Sequence, residues 1–156
     1  VVVDATARLY DVDEDSLVFQ PLRETKRYDQ GTITFHARKG KLINLDKLQE
    51  SIWATRLSGG TRSGLVSLEV TVIGNVMETE NGLVLKVAHS SGEFALGAHP
   101  DKKFQALYQK LKAGGSGRMV RLNGVIDNYR GRWPDLLRKP PPTKRRILVT
   151  EFQFVE

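Results

Sequence analysis

Ile33 and Phe35 stand between Thr32, Thr34 and His36, an alternation with the period of two that a half-buried strand requires. Arg38-Lys39-Gly40 then predicts a turn. At Asn44 the pattern changes. Its side-chain oxygen can cap a helix beginning at Leu45, and Leu45, Leu48, Ile52 and Leu57 recur near the helical period, with Trp53 beside the stripe. Ser58-Gly59-Gly60 can adopt the left-handed cap conformation, so the helix is expected to end near Leu57. A strand from about Leu68 to Val76 follows. The strand–helix–strand order allows residues 32–36 and 68–74 to form a parallel pair through a right-handed crossover, provided no other strand separates them. Upstream, the pattern predicts a strand from Ala5 to Asp11, an acidic turn at Asp13-Glu14-Asp15, and a short strand Leu17-Val18-Phe19 that stops before Pro21.

Beyond residue 67 the apolar runs become short and closely spaced. Leu68 to Met77, Leu83 to Ala88 and Glu93 to Gly97 are expected strands, separated by Glu80-Asn81-Gly82 and Ser90-Ser91-Gly92, both hairpin-type turns. A helix opened by Pro100, with Asp101 close by, carries the stripe Phe104, Leu107, Tyr108 and Leu111 and closes at Gly114-Gly115. Two more strands, Met119 to Ile126 and Ile147 to Val155, bracket a long connection. Three strands, a helix and two strands is the order of the five-stranded oligonucleotide/oligosaccharide-binding (OB) barrel. Gly74 and Gly124 each interrupt an apolar strand, where a barrel strand must coil sharply.

Composition narrows the chemistry. The chain has 156 residues, 40% of them hydrophobic and 27% charged, which suits a folded protein of one domain or two small ones. It contains no run of about eighteen apolar residues, so nothing spans a bilayer as a helix and the chain reads as soluble. With no Cys, it can form no disulfide, thiolate metal site, Cys nucleophile or iron–sulfur cluster. The opening Val1-Val2-Val3-Asp4 points to a processed N-terminus, as after removal of an export signal.

The net charge is +6, and it is concentrated. Residues 118–146 hold Arg118, Arg121, Arg130, Arg132, Arg138, Lys139, Lys144, Arg145 and Arg146 against Asp127 and Asp135, so the rest of the chain is close to neutral. A patch of one sign attracts polyanions or an acidic partner protein.

The stretch Gly31-Thr32-Ile33-Thr34-Phe35, continuing through Lys41-Leu42-Ile43-Asn44-Leu45-Asp46-Lys47-Leu48 to Ile52, resembles the second half of a heavy-metal-associated domain. In that ferredoxin-like family a comparable strand leads into a helix with Leu-x-x-Leu-x-x-x-Ile spacing. The resemblance covers about thirty-five residues and implies fold without metal transport, because the family's site is a pair of Cys on an early loop and this chain has none. Residues 67–156 resemble an exported OB-like module, through element order and glycine placement. The expected architecture is therefore α+β: a ferredoxin-like unit over residues 1–66, followed by a five-stranded OB-like barrel with one helix over residues 67–156.

Catalytic patterns are lacking. His36, His89 and His99 have neither H-x-H nor i, i+4 spacing, so no metal is expected unless folding brings His89 and His99 together. There is no G-x-S-x-G elbow, and the carboxylate pairs Asp13/Asp15 and Glu78/Glu80 lie in or beside turns, where they stay solvated. The Gly-rich segments 58–64 and 113–118 follow helices, whereas a phosphate loop precedes one, so both are expected as helix C-caps. No cofactor is implied, and the chain reads as a non-enzyme.

The strongest functional signal is the connection between the last two strands. It runs from Asn128 through Tyr129, Arg130, Arg132 and Trp133, then Arg138, Lys139 and Pro140-Pro141-Pro142, to Lys144, Arg145 and Arg146. Rings interleaved with cations can stack bases while holding phosphates, whereas a proline-stiffened basic arm carrying a Trp suits docking to protein. Phe94, Phe152 and Phe154 are the candidate stacking rings on the barrel strands, fewer than a nucleic-acid platform displays. The expected function is a noncatalytic binding or assembly subunit whose contact residues are these nine aromatic and basic side chains. Its partner is another protein or a second copy. Single-stranded nucleic acid is the alternative ligand.

Overall fold

The period-two segments form strands, but the expected acidic turn Asp13-Glu14-Asp15 lies inside the first of them, at a shift in its register. A computed structural model describes residues 6, 11–24, 29–39, 41–54, 67–127 and 145–155, with backbone alone over 21–24 and 29–30. Seven strands and two helices lie among the described residues: β1 (Val12–Glu24), β2 (Asp29–Ala37), α1 (Leu45–Ala54), β3 (Glu69–Thr79), β4 (Gly82–Val87), β5 (Glu93–Ala98), α2 (Gln105–Gly114), β6 (Met119–Ile126) and β7 (Arg146–Phe154). The fold is mixed α+β, and none of the described helices is long and apolar enough to cross a membrane. The chain divides into two units, Val1–Gly64 and Leu65–Glu156.

In the first unit, β1 and β2 form a two-stranded antiparallel sheet. β1 is longer than the short strand at residues 17–19 that the sequence suggests, and it continues through Pro21, which lies opposite Gly31. Proline has no N–H to offer a ladder, and the register shifts between Pro21 and Arg23. Of the strand expected from Ala5 to Asp11, Thr6 and Asp11 are described and neither is strand, Thr6 being helical and Asp11 in a turn; the rest lies outside the described residues. The turn at Arg38-Lys39 forms, with the Lys41 amide donating to the Arg38 carbonyl at 2.9 Å. Asn44 caps α1 as expected: its Oδ1 accepts the Lys47 amide at 3.0 Å. Leu48 and Ile52 of the stripe are buried, together with Gln49. The end expected near Leu57 lies outside the described residues.

The parallel pairing of residues 32–36 with 68–74 does not occur. β2 pairs antiparallel with β1, while β3 pairs within the second unit, residues 69–75 with β6 and residues 74–79 with β4.

In the second unit the five strands close into a barrel in the order β3-β4-β5-β7-β6, β6 returning to β3. All neighbours are antiparallel except β5 and β7, which run parallel from the pairing of Ala95 with Arg146. This is an OB-like arrangement, in which every strand has a neighbour on each side over part of its length. Each strand sends alternate side chains inward, among them Val76, Leu85, Leu96, Leu122 and Ile147, all buried. The two glycines serve the coiling. Gly74 lies where β3 passes from pairing with β6 to pairing with β4, and a Cβ there would collide with the Lys86 carbonyl. At Gly124 a Cβ would sit 2.6 Å from the Leu148 carbonyl oxygen.

Helix α2 begins at Gln105 rather than beside Pro100. Residues 101–104 instead form a turn in which the Asp101 carbonyl accepts the Phe104 and Gln105 amides at 3.0 and 3.2 Å. The helix packs against β5 and β7. Leu111 is fully buried, and the Tyr108 hydroxyl accepts the Leu83 amide at 3.2 Å, beside the β3–β4 turn. Gly115 closes the helix, its amide donating to the Leu111 carbonyl at 2.7 Å. The Gly-rich segment 113–118 is thus a helix C-terminus, as its position in the sequence predicts.

Candidate contact surface

The two strands that flank the basic connection meet at its root. β6 ends at Ile126 and β7 begins at Arg146, with the Asp127 amide donating to the Arg146 carbonyl at 2.9 Å. The side chains of the same two residues form an ion pair: Nε and Nη2 of Arg146 each lie 3.0 Å from Oδ2 of Asp127. Asp127 is 20% exposed and Arg146 41%, so the pair is partly screened by solvent. The Arg146 guanidinium lies over Gly97 of β5, where a Cβ would come 3.1 Å from Cζ and Nη1. Because β5 and β7 run parallel, this root shares an end of the barrel with the β4–β5 turn, Ala88 to Gly92.

Of the nine predicted contact residues, the structure places two. Arg146 is engaged with Asp127, and Arg145 is half-buried. Tyr129, Arg130, Arg132, Trp133, Arg138, Lys139 and Lys144 lie outside the described residues. The other two cations of the basic segment are separated on the barrel. Arg118 stacks its guanidinium 3.5 Å from the centroid of the Phe154 ring, and Arg121 is exposed on β6 opposite Ile73.

Strand register decides where the three phenylalanines point. Phe94 lies opposite Leu85, Phe152 opposite Leu122 and Phe154 opposite Val120, and each of these partners is fully buried. Residues directly opposite in a ladder share a face, so all three rings are on the core side of the sheet. Among the described residues, then, the outer face of the barrel strands carries no aromatic ring. It carries aliphatic side chains instead: Ile73, Met77 and Met119 are 43%, 38% and 37% exposed, with Met119 directly opposite Asn75, between Ile73 and Met77. This apolar strip escapes a sequence reading. Ile73 and Met77 sit among Val72, Val76 and other apolar residues, and only the inward direction of Gly74 and Val76 shows that their neighbours face out.

The remaining polar candidates serve local structure. His99 Nδ1 accepts the Asp101 amide at 3.0 Å, and its ring meets that of Phe104 edge-on at 5.1 Å between centroids. His89 occupies the β4–β5 turn in the left-handed region, at φ 58°. Asp13 Oδ1 accepts the Asp15 amide, and Glu78 lies 3.9 Å from Lys112 on the surface. Among the described residues no three His, Asp or Glu side chains converge as a metal site.

No family model, curated protein or solved structure matches the chain.

Proposed function

We propose that this protein is a noncatalytic binding or assembly subunit that contacts another protein, or a second copy of itself, through the basic Pro-rich connection of residues 128–146. The observation that carries this reading is the strand order β3-β4-β5-β7-β6, which makes that connection the link between the last two barrel strands. Barrels of this class use that link for ligands. Residues 128–144 contain five cations and one acid, Asp135, while the acid at their root, Asp127, is already paired with Arg146. The connection therefore retains a surplus of positive charge for an acidic partner, with Trp133 and Tyr129 as aromatic anchors of the kind favoured at interfaces. On this reading the first unit is a ferredoxin-like scaffold without the metal-binding cysteines, supported by the strand-then-helix order from Asp29 to Ala54.

A specific observation favours protein over single-stranded nucleic acid. Nucleic-acid platforms stack bases on exposed rings, whereas this barrel turns Phe94, Phe152 and Phe154 inward and leaves Ile73, Met77 and Met119 outside. The test is Trp133→Ala followed by light scattering over a concentration series. The wild type is expected to self-associate and the variant to approach the monomer mass. Equal mass curves for the two proteins would refute assembly through Trp133. A parallel titration with labelled single-stranded oligonucleotide at two salt concentrations is expected to show weak binding. Tight binding that falls steeply with salt would instead support the nucleic-acid reading.

A further inference from the structure

Arg146 is tied to the barrel in three ways. Its carbonyl accepts the Asp127 amide at 2.9 Å, two of its guanidinium nitrogens lie 3.0 Å from Asp127 Oδ2, and the guanidinium rests over the notch left by Gly97. The contacts link the end of β6, the start of β7 and the outer side of β5. Moving the guanidinium outward would break both charge-assisted bonds to Asp127 and expose its carboxylate.

We propose that Asp127 and Arg146 form a latch that fixes the root of the 128–144 connection, Asp127 acting as the internal counter-ion that withdraws Arg146 from the cationic contact surface. Both are positioning residues for that surface. Where the proposal assigns the connection a contact role, it rests on the function proposed above; the latch itself rests only on the geometry at the root. Gly97 belongs to the same device, because a methyl group there would come 3.1 Å from Cζ and Nη1 and press on the guanidinium. The excess of basic residues near the end of the connection conceals this role in the sequence, where Arg146 reads as one of the adjacent cations Lys144, Arg145 and Arg146.

The test uses the full chain and the protection factor of the residue-127 amide, measured by hydrogen exchange. Asp127→Asn and Arg146→Gln are each expected to lower that protection by up to about fivefold, the upper end for a partly exposed ion pair. Protection of core amides such as Ile126 and Val149 should stay at the wild-type level. Exchanging the charges, with Asp127→Arg and Arg146→Asp combined, should restore the residue-127 protection, a rescue that a merely steric role would not give. Wild-type protection in both single variants would overturn the latch, as would a double variant no better protected than they are. Light scattering on the same proteins separates the two proposals. If Trp133→Ala leaves assembly unchanged while the exchange results hold, the latch stands and the contact reading is lost.

Discussion

Two glycines illustrate how much a single residue can decide. Nothing in the composition distinguishes Gly74 and Gly124 from the other glycines, but their position inside apolar strands does, and the barrel confirms the reason. Each is the point at which a neighbouring strand's backbone approaches too closely for a side chain. Gly124→Ala is expected to destabilise the protein by about 1–3 kcal/mol, the usual cost of overpacking, because a Cβ would meet the Leu148 carbonyl, backbone that cannot swing aside, as well as the buried Ile147 side chain. Urea unfolding measures it, and an unchanged midpoint would show that β6 can shift away from β7. The Asn44 cap was equally legible, since an N-cap needs only local geometry. The role of Asp127 was not. A carboxylate between strands reads as solvated until the register brings Arg146, nineteen residues away, onto its Oδ2.

At the scale of elements, the hairpin turns and the boundaries of β4 to β7 follow the sequence to within a residue or so, because period-two patterning and Asn-Gly or Ser-Gly turns are local signals. The start of α2 does not follow it. Pro100 and Asp101 have the composition of a helix first turn, yet the Asp101 carbonyl forms a separate turn with Phe104 and Gln105, and the helix begins at Gln105. What the helix contributes is a plug: Leu111 is fully buried, and Tyr108 accepts the Leu83 amide. Leu111→Ala should therefore cost about 2–5 kcal/mol, by loss of burial and creation of a cavity, and should lower the thermal midpoint. A shift near zero would mean that α2 is not an integral wall of the core. β1 shows the opposite failure of local reasoning. Proline suggests a strand end, but the partner strand supports the backbone on both sides of Pro21 and the strand continues.

For the whole molecule, the consequence of closure is autonomy. The five strands of Leu65–Glu156 satisfy one another in a ring, with α2 packed on β5 and β7, so this unit has its own core. A chain of residues 65–156 is expected to keep a single cooperative thermal transition, and a broad, non-cooperative melt would show that its core depends on the first unit. The function proposed also belongs to this scale. On that proposal the contact surface is the connection of residues 128–144, whose positive charge is already contiguous in sequence, and the acid at its root is paired with Arg146 rather than left to neutralise the rest.

The sequence by itself determined the strands and hairpin turns of the second unit, the helix cap at Asn44, which strands need glycine, and where the positive charge accumulates. These depend on side-chain periodicity, on local turn and cap chemistry, and on composition, all of which act over a few residues. Tertiary structure alone decided that β3 pairs with β4 and β6 inside the barrel, that Phe94, Phe152 and Phe154 face the core while Ile73, Met77 and Met119 do not, and that Asp127 holds Arg146. Each of these depends on register between strands distant in the chain, and a shift of one residue would turn every side chain to the other face.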